Sequence, residues 1–161
     1  MISLSAEYAL RAVLCLAGNP LTPMTIHQIA AAGRIPPAYL AKILKILVRQ
    51  SILASQRGLN GGFVLARPAE QLTLLDIVNL TDGSHRIHTC PLGLKSHGTN
   101  LCCLHRQLDS AVDVAERQLA GATIAQLLAT PSHGKPGCCS WPEPSTHMLV
   151  NGHSPQPERK S

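Results

Sequence analysis

A mainly α-helical chain with a small β wing is the fold class the sequence predicts: a winged helix-turn-helix followed by a long dimerisation helix. Three observations predict it. Two short helical patterns meet at a tight turn, and the second carries a basic outer face. A glycine-rich hairpin signal follows directly. Further on, apolar residues return at steps of three and four over about five turns.

The elements follow in order. Leu4, Tyr8, Ala9, Ala12, Val13, Leu16 and Ala17 recur at helical spacing, which predicts a helix from about Ser3 to Ala17, stopped by Gly18-Asn19-Pro20. Thr25 suits the N-cap of a short helix over Ile26 to Ala32, and Gly33-Arg34-Ile35-Pro36 forms the turn. Pro37 then occupies the first turn of a third helix, where its missing N–H is harmless. In that helix Leu40, Ile43, Leu44 and Leu47 form a stripe for burial, while Ala38, Lys42, Lys45 and Arg49 form an exposed basic one. Asn60-Gly61 lies between the apolar runs Ile52–Ser55 and Phe63–Ala66, which predicts a tight hairpin with Arg57 at its neck. A helix is expected from Leu72-Thr73 to about Leu80, ended by Asp82-Gly83. Residues 84–101 are polar and loop-like. From Cys102 to Ala120 helical spacing returns through Leu104, Leu108, Val112, Ala115 and Leu119, a seam suited to a helix between subunits. Gly121 breaks it, and Thr123 caps a short Ile124–Ala129 helix. Residues 131–161, rich in Pro, Ser, His and Gly, are expected to be a disordered tail.

Composition narrows the function. Of 161 residues 45% are apolar, enough for a core, but only 2% are aromatic: Tyr8, Tyr39, Phe63 and Trp141. That scarcity disfavours single-strand nucleic-acid platforms, which stack bases on rings. The net charge of +5 sits entirely in residues 1–70, where seven basic residues face two acidic ones. A basic half beside a neutral half suggests a polyanion-binding module joined to something else. No apolar run approaches the roughly 20 residues of a membrane span. The first helix carries Glu7 and Arg11 inside its apolar stretch with no basic lead, so no export signal is expected and the cytoplasm is the expected location. No nucleophile–base pair, phosphate loop or carboxylate pair is evident, so an enzyme or a small-molecule substrate is not expected.

Several segments together carry a resemblance. Leu4-Ser5-Ala6-Glu7-Tyr8-Ala9-Leu10-Arg11-Ala12, the Tyr39-Leu40 helix, the run Arg57-Gly58-Leu59-Asn60-Gly61-Gly62-Phe63-Val64-Leu65-Ala66-Arg67-Pro68 and Leu74-Leu75-Asp76-Ile77-Val78 resemble the bacterial winged-helix regulators typified by IscR, NsrR and RirA. The likeness covers about residues 1–130. It implies a homodimeric transcription factor on double-stranded DNA, often holding an iron–sulfur cluster that senses iron, redox state or nitric oxide.

Within that resemblance, Cys90 and Cys102 fall on the first and third of the family's cysteine positions, and Ser96 stands at the middle one. His105 matches a histidine some members use, and Glu7 an acidic ligand donated across the dimer. The departure at Ser96 argues against a four-iron cluster and leaves a two-iron two-sulfur cluster on Cys90, Cys102, His105 and Glu7, or none. Local chemistry supports part of this set: a thiol at a helix N-terminus favours its thiolate, and His105 lies one turn beyond Cys102. Cys103 points roughly 100° away, so it is not expected to share the metal. Glu7 also pairs naturally with Arg11 at i, i+4. Cys15 is expected in the core.

The resulting organisation is a DNA-binding domain over 1–83, a sensor loop over 84–104, and a dimerisation helix with a terminal short helix over 105–130. Ala38, Tyr39, Lys42, Lys45, Arg49, Arg57 and Asn60 are the candidate DNA contacts. Lys45 and Arg49 suit phosphates, and Ala38, Tyr39 and Lys42, near the helix start, suit base edges. Two alternatives stay open: a metal-free regulator acting through thiol oxidation or a partner, and a zinc-stabilised interaction module.

Overall fold

The computed structural model describes residues 2–58, 61–93 and 100–130. α1 (Leu4–Ala17) starts where the Ser3 hydroxyl accepts from the Ala6 N–H at 3.1 Å. Its inner face, Ala6, Ala9, Ala12, Val13 and Leu16, is essentially inaccessible to solvent, as is Cys15. Small residues there let neighbouring helices approach closely, and α1 becomes the central post of the core, touched broadly by every other helix except the long one.

α2 (Ile26–Gly33) opens with a capping box: the Thr25 side chain accepts from the Gln28 N–H while Gln28 accepts from the Thr25 N–H. The helix runs one residue further than the sequence suggests. Its reversal falls on Arg34, with φ 50° and ψ 49°, and not on Gly33. Gly33 lies close beneath Ile35 instead: a Cβ there would stand 2.8 Å from the end of the Ile35 side chain, which would have to shift. α3 (Pro37–Arg49) follows with Pro37 in its first turn and with Leu40, Ile43, Leu44 and Leu47 buried.

The wing is an antiparallel pair, β1 (Leu53–Gln56) and β2 (Gly62–Leu65), with Leu53 opposite Leu65 and Gln56 opposite Gly62. The tight two-residue turn expected at Asn60-Gly61 is not what joins them, since the strands are separated by residues 57–61. The loop closes by a Gly61 N–H to Gly58 carbonyl bond of 3.0 Å, with Gly58 at φ 116°. Glycine is required at 61 and 62 for want of room: a Cβ would stand 2.5 Å from the Gln56 carbonyl oxygen and 2.6 Å from the Met24 carbonyl oxygen respectively. That second approach reflects a bridge no local sequence pattern announces, in which Met24 and Phe63 exchange backbone bonds of 2.8 and 3.1 Å. It ties the loop end of β2 to the chain entering α2.

A 3-10 turn (Ala69–Gln71) precedes α4 (Leu74–Asp82). Leu72 and Thr73 are therefore not the start of the helix. Leu72 is fully buried in extended backbone, and Thr73 is the N-cap of a second capping box with Asp76. The helix also continues to Asp82, whose carboxylate accepts from the Ser3 N–H at 2.8 Å and from the Ser3 hydroxyl. Burial opposes ionisation of Asp82, but the bonds from Ser3 and Thr81 outweigh it and hold its pKa below the ordinary carboxylate value.

α5 (Cys103–Ala120) begins one residue later than expected, with Cys102 as its N-cap, and none of its residues is buried. It rests on α4 alone among the regular elements that touch it broadly. The chain then returns. Ile124 N–H donates to the Leu72 carbonyl at 2.9 Å and Leu74 N–H to the Ala122 carbonyl at 3.0 Å, so α6 (Ile124–Ala129) docks beside α1 with Ile124 fully enclosed. No described helix is long and apolar enough to cross a membrane.

Candidate nucleic-acid interface and metal centre

The same geometry that buries one stripe of α3 turns the other outward. Ala38, Tyr39, Lys42, Lys45 and Arg49 are all exposed, and so is Arg57 at the wing's neck. Asn60 and its neighbour Leu59 lie outside the described residues. Tyr39 is anchored at one edge by Tyr8 of α1, ring centroids 6.4 Å apart in an edge-on arrangement, while more than half its surface stays open. Arg34, at the left-handed turn just before α3, is a further exposed cation near the start of that helix in sequence; its charge is plain in the sequence, yet it is not among the expected contacts.

A second cluster lies where the segment after α4 meets the start of α5. Cys102 Sγ stands 3.1 Å from His105 Nδ1, and Cys90 Sγ stands 3.6 Å from the same nitrogen. Both sulfurs and the nitrogen lie within 4.8 Å of one another, all partly exposed. Cys102 and His105 meet because three residues separate them across the helix start. Cys90 arrives from the other side. Cys103 is exposed and does not join. Two soft sulfurs and an imidazole form a donor set for a transition metal.

The family comparison decides what kind of chain this is. A family model described as "Rrf2: Iron-dependent Transcriptional regulator" matches residues 2–130. The chain belongs to the Rrf2 family.

Its relatives agree. Protein aau3 of Rhizobium meliloti is 32% identical over 130 residues, covering 76% of this chain and 80% of its own. A chain of Aquifex aeolicus, provisionally named an HTH-type transcriptional regulator, is 28% identical over 127 residues, covering 77% and 88%. Among solved structures, IscR of T. potens superposes with a TM-score of 0.67 at 21% identity, over 83% of this chain and 93% of that one. CymR, the global cysteine regulator of B. subtilis, gives 0.68 at 20% identity over 82% and 98%. These two show the fold. As an Rrf2 protein the chain is a DNA-binding transcriptional regulator and not an enzyme.

Glu7 is not among the clustered donors of its own chain. It forms an i, i+4 ion pair with Arg11, whose guanidinium also lies over the Tyr8 ring at 5.7 Å. Ser96 and His97 lie outside the described residues, as do Cys138 and Cys139 in the tail. A polar seam with no signature in the sequence brings Cys90 to α5. The Ser84 hydroxyl donates to Glu116 Oε1 at 2.9 Å. Arg86 grips Asp109 through Nε and Nη2, both at 2.8 Å, and Asp113 through Nη1. The Ile87 N–H donates to Asp109 Oδ1 at 2.8 Å. The Arg86 and Ile87 bonds hold the Asp109 carboxyl down at about 2, and the Asp109 bond raises the Arg86 guanidinium further.

Proposed function

We propose that this protein is a homodimeric regulator of the Rrf2 family that reads double-stranded DNA with α3 and the wing, under control of a metal centre on Cys90, Cys102 and His105. The observation that carries the control element is the convergence of two thiols and an imidazole, from two separate segments of the chain, within 4.8 Å. These residues fit an iron–sulfur cluster by donor chemistry, with Glu7 of the second copy as the candidate fourth ligand. A bound two-iron two-sulfur cluster would supply one-electron redox chemistry and sensitivity to oxidants. The chain's own part is to present the donors: Cys102 stands at the N-terminus of α5, and His105 sits beside both sulfurs.

Double-stranded DNA is engaged by the exposed face of α3. Lys45 and Arg49 neutralise phosphates, and Ala38, Tyr39 and Lys42 near the helix start reach toward base edges in the major groove. Arg57 and Asn60 supply the wing's contact. The second copy covers the apolar seam of α5, where Leu104 is 58% and Leu108 47% exposed in the single chain.

One observation favours a second reading of the centre. With bonds of about 2.3 Å to sulfur and about 2.0 Å to nitrogen, a single tetrahedral zinc ion holds its donors about 3.5–3.8 Å apart, near the spacings between His105 and the two sulfurs. An absorption spectrum of protein purified without oxygen, with iron, sulfide and zinc analysis, separates the two. Brown protein with equimolar iron and sulfide supports the cluster. Colourless protein with one zinc per chain supports the single ion, and metal-free protein removes the metal centre altogether.

A further inference from the structure

The donor that most needs help is Cys90. Cys102 and His105 share one rigid helix start, but Cys90 sits in the segment following α4, beyond any regular element. That segment nonetheless follows a fixed course along α5. Ser84 meets Glu116, Arg86 meets Asp113 and Asp109, Ile87 meets Asp109, and Cys90 meets His105. Each step along the segment climbs three or four residues toward the start of α5, so its partners line one face of that helix. The densest fastening is one turn from His105 and four residues from Cys90, where the Arg86 guanidinium is bidentate on Asp109 and reaches Asp113, and the Ile87 amide adds a backbone bond to the same carboxylate.

We propose that Arg86 and Asp109 are positioning residues for the metal centre: their clamp fixes the segment's register on α5 so that Cys90 Sγ is held against His105 and Cys102 before the metal arrives. This rests on the metal reading above and deepens it. A planar guanidinium gripping a carboxylate through two parallel bonds fixes direction as well as distance, which a lysine at 86 could not do. The backbone bond from Ile87 turns that side-chain grip into a constraint on the chain itself. Without the clamp Cys90 must be ordered at the moment of binding, and the ordering entropy is subtracted from metal affinity.

The test uses the full-length chain, stripped of metal and reduced, titrated anaerobically with Co(II), whose thiolate charge-transfer band reports sulfur ligation directly. The wild type is expected to develop the band, and Cys102→Ala to lose it. Arg86→Gln and Asp109→Asn should each weaken Co(II) binding by about tenfold, in line with the loss of residues that orient ligands. The double variant should be little worse than either single one, because both break one clamp. Arg86→Lys should fall between, and Arg117→Gln, which removes an outer ion pair with Asp113 and a long bond to its carbonyl but leaves Arg86 and Asp109 in place, should bind like the wild type. Deuterium exchange on the metal-free proteins should show the Ile87 amide protected in the wild type and exposed in Arg86→Gln, with α1–α4 unchanged. Cys102-dependent Co(II) binding by the wild type, together with unaltered affinity in Arg86→Gln and Asp109→Asn, would overturn the clamp alone. A wild type with no Co(II) band overturns the metal reading, and the clamp's role with it.

Discussion

Asp109 serves two partners at once, a guanidinium and a backbone amide, and its titration reports on both. An unfolded aspartate titrates near about 3.9, whereas the bonds from Arg86 and Ile87 hold this one down at about 2. The folded state therefore binds fewer protons between those values. The stability this carboxylate contributes is complete above about pH 4 and is lost as pH falls through about 2. Carbon NMR of the Asp109 carboxyl should give the low midpoint in the wild type and a return toward the ordinary value in Arg86→Gln; equal midpoints would mean the pair does not exist in solution. On α3 the individual cations should separate by role. Lys45→Ala and Arg49→Ala should weaken binding to every duplex alike and flatten the slope of log K against log salt by about 0.9 for each phosphate no longer neutralised. Lys42→Ala and Arg57→Ala should instead narrow the gap between specific and nonspecific DNA. Titrations at several salt concentrations on both kinds of duplex check this, and unchanged binding in all four variants would rule out α3 as the reading helix.

Helix ends are legible in the sequence because their chemistry is local. Thr25 and Thr123 announce N-caps, and each forms the capping box with the glutamine three residues on. The hairpin turn departs from expectation for the opposite reason. Asn60-Gly61 favours a two-residue turn in isolation, but the paired strands stop at Gln56 and resume at Gly62, with Gly61 set against the Gln56 carbonyl and Gly62 against the Met24 backbone. No local pattern shows that Met24 will be there. Arg86 is invisible for a similar reason: its partners stand 23 and 27 residues away, and Asp109 and Asp113 read locally as part of a solvated helix face. Cys102 and His105 can be paired from their spacing, while Cys90 joins them only through a family likeness. At this scale α5 makes its own prediction. Among the described residues its apolar seam is only partly covered, with Leu108 exposed and Val112 half-buried, so Leu108→Glu or Val112→Glu should leave the monomer's fold intact. Either would place an unpaired charge in the subunit contact, at about 3–5 kcal/mol. Sedimentation should show a wild-type dimer and a monomeric variant, and a monomeric wild type at DNA-binding concentrations would remove the dimer reading.

In the whole molecule, the chain's return after α5 ties the helix that carries candidate metal donors back to the helix-turn-helix core. α6 packs on α1, and the exchange of backbone bonds between residues 72–74 and 122–124 closes α4 and α5 into a loop anchored on the helix-turn-helix core. Ile124 is the pin of that closure. Ile124→Ala should lower stability by about 2–5 kcal/mol, read as a shifted midpoint in chemical denaturation; a loss under about 1 kcal/mol would mean α6 is only loosely docked. Through this frame a change at Cys90 and Cys102 would act on the start of α5, and in the proposed dimer α5 would set the spacing of the two recognition helices. Allosteric couplings of about 1–3 kcal/mol correspond to roughly 5–150-fold in affinity. The most direct test is anaerobic operator binding, by fluorescence anisotropy at fixed salt, of the protein with its metal centre and after the metal is removed. The account predicts an affinity difference within that range, abolished in Cys90→Ala and Cys102→Ala. Identical operator affinity with and without metal, in a wild type shown to bind it, would contradict control of DNA binding by this centre.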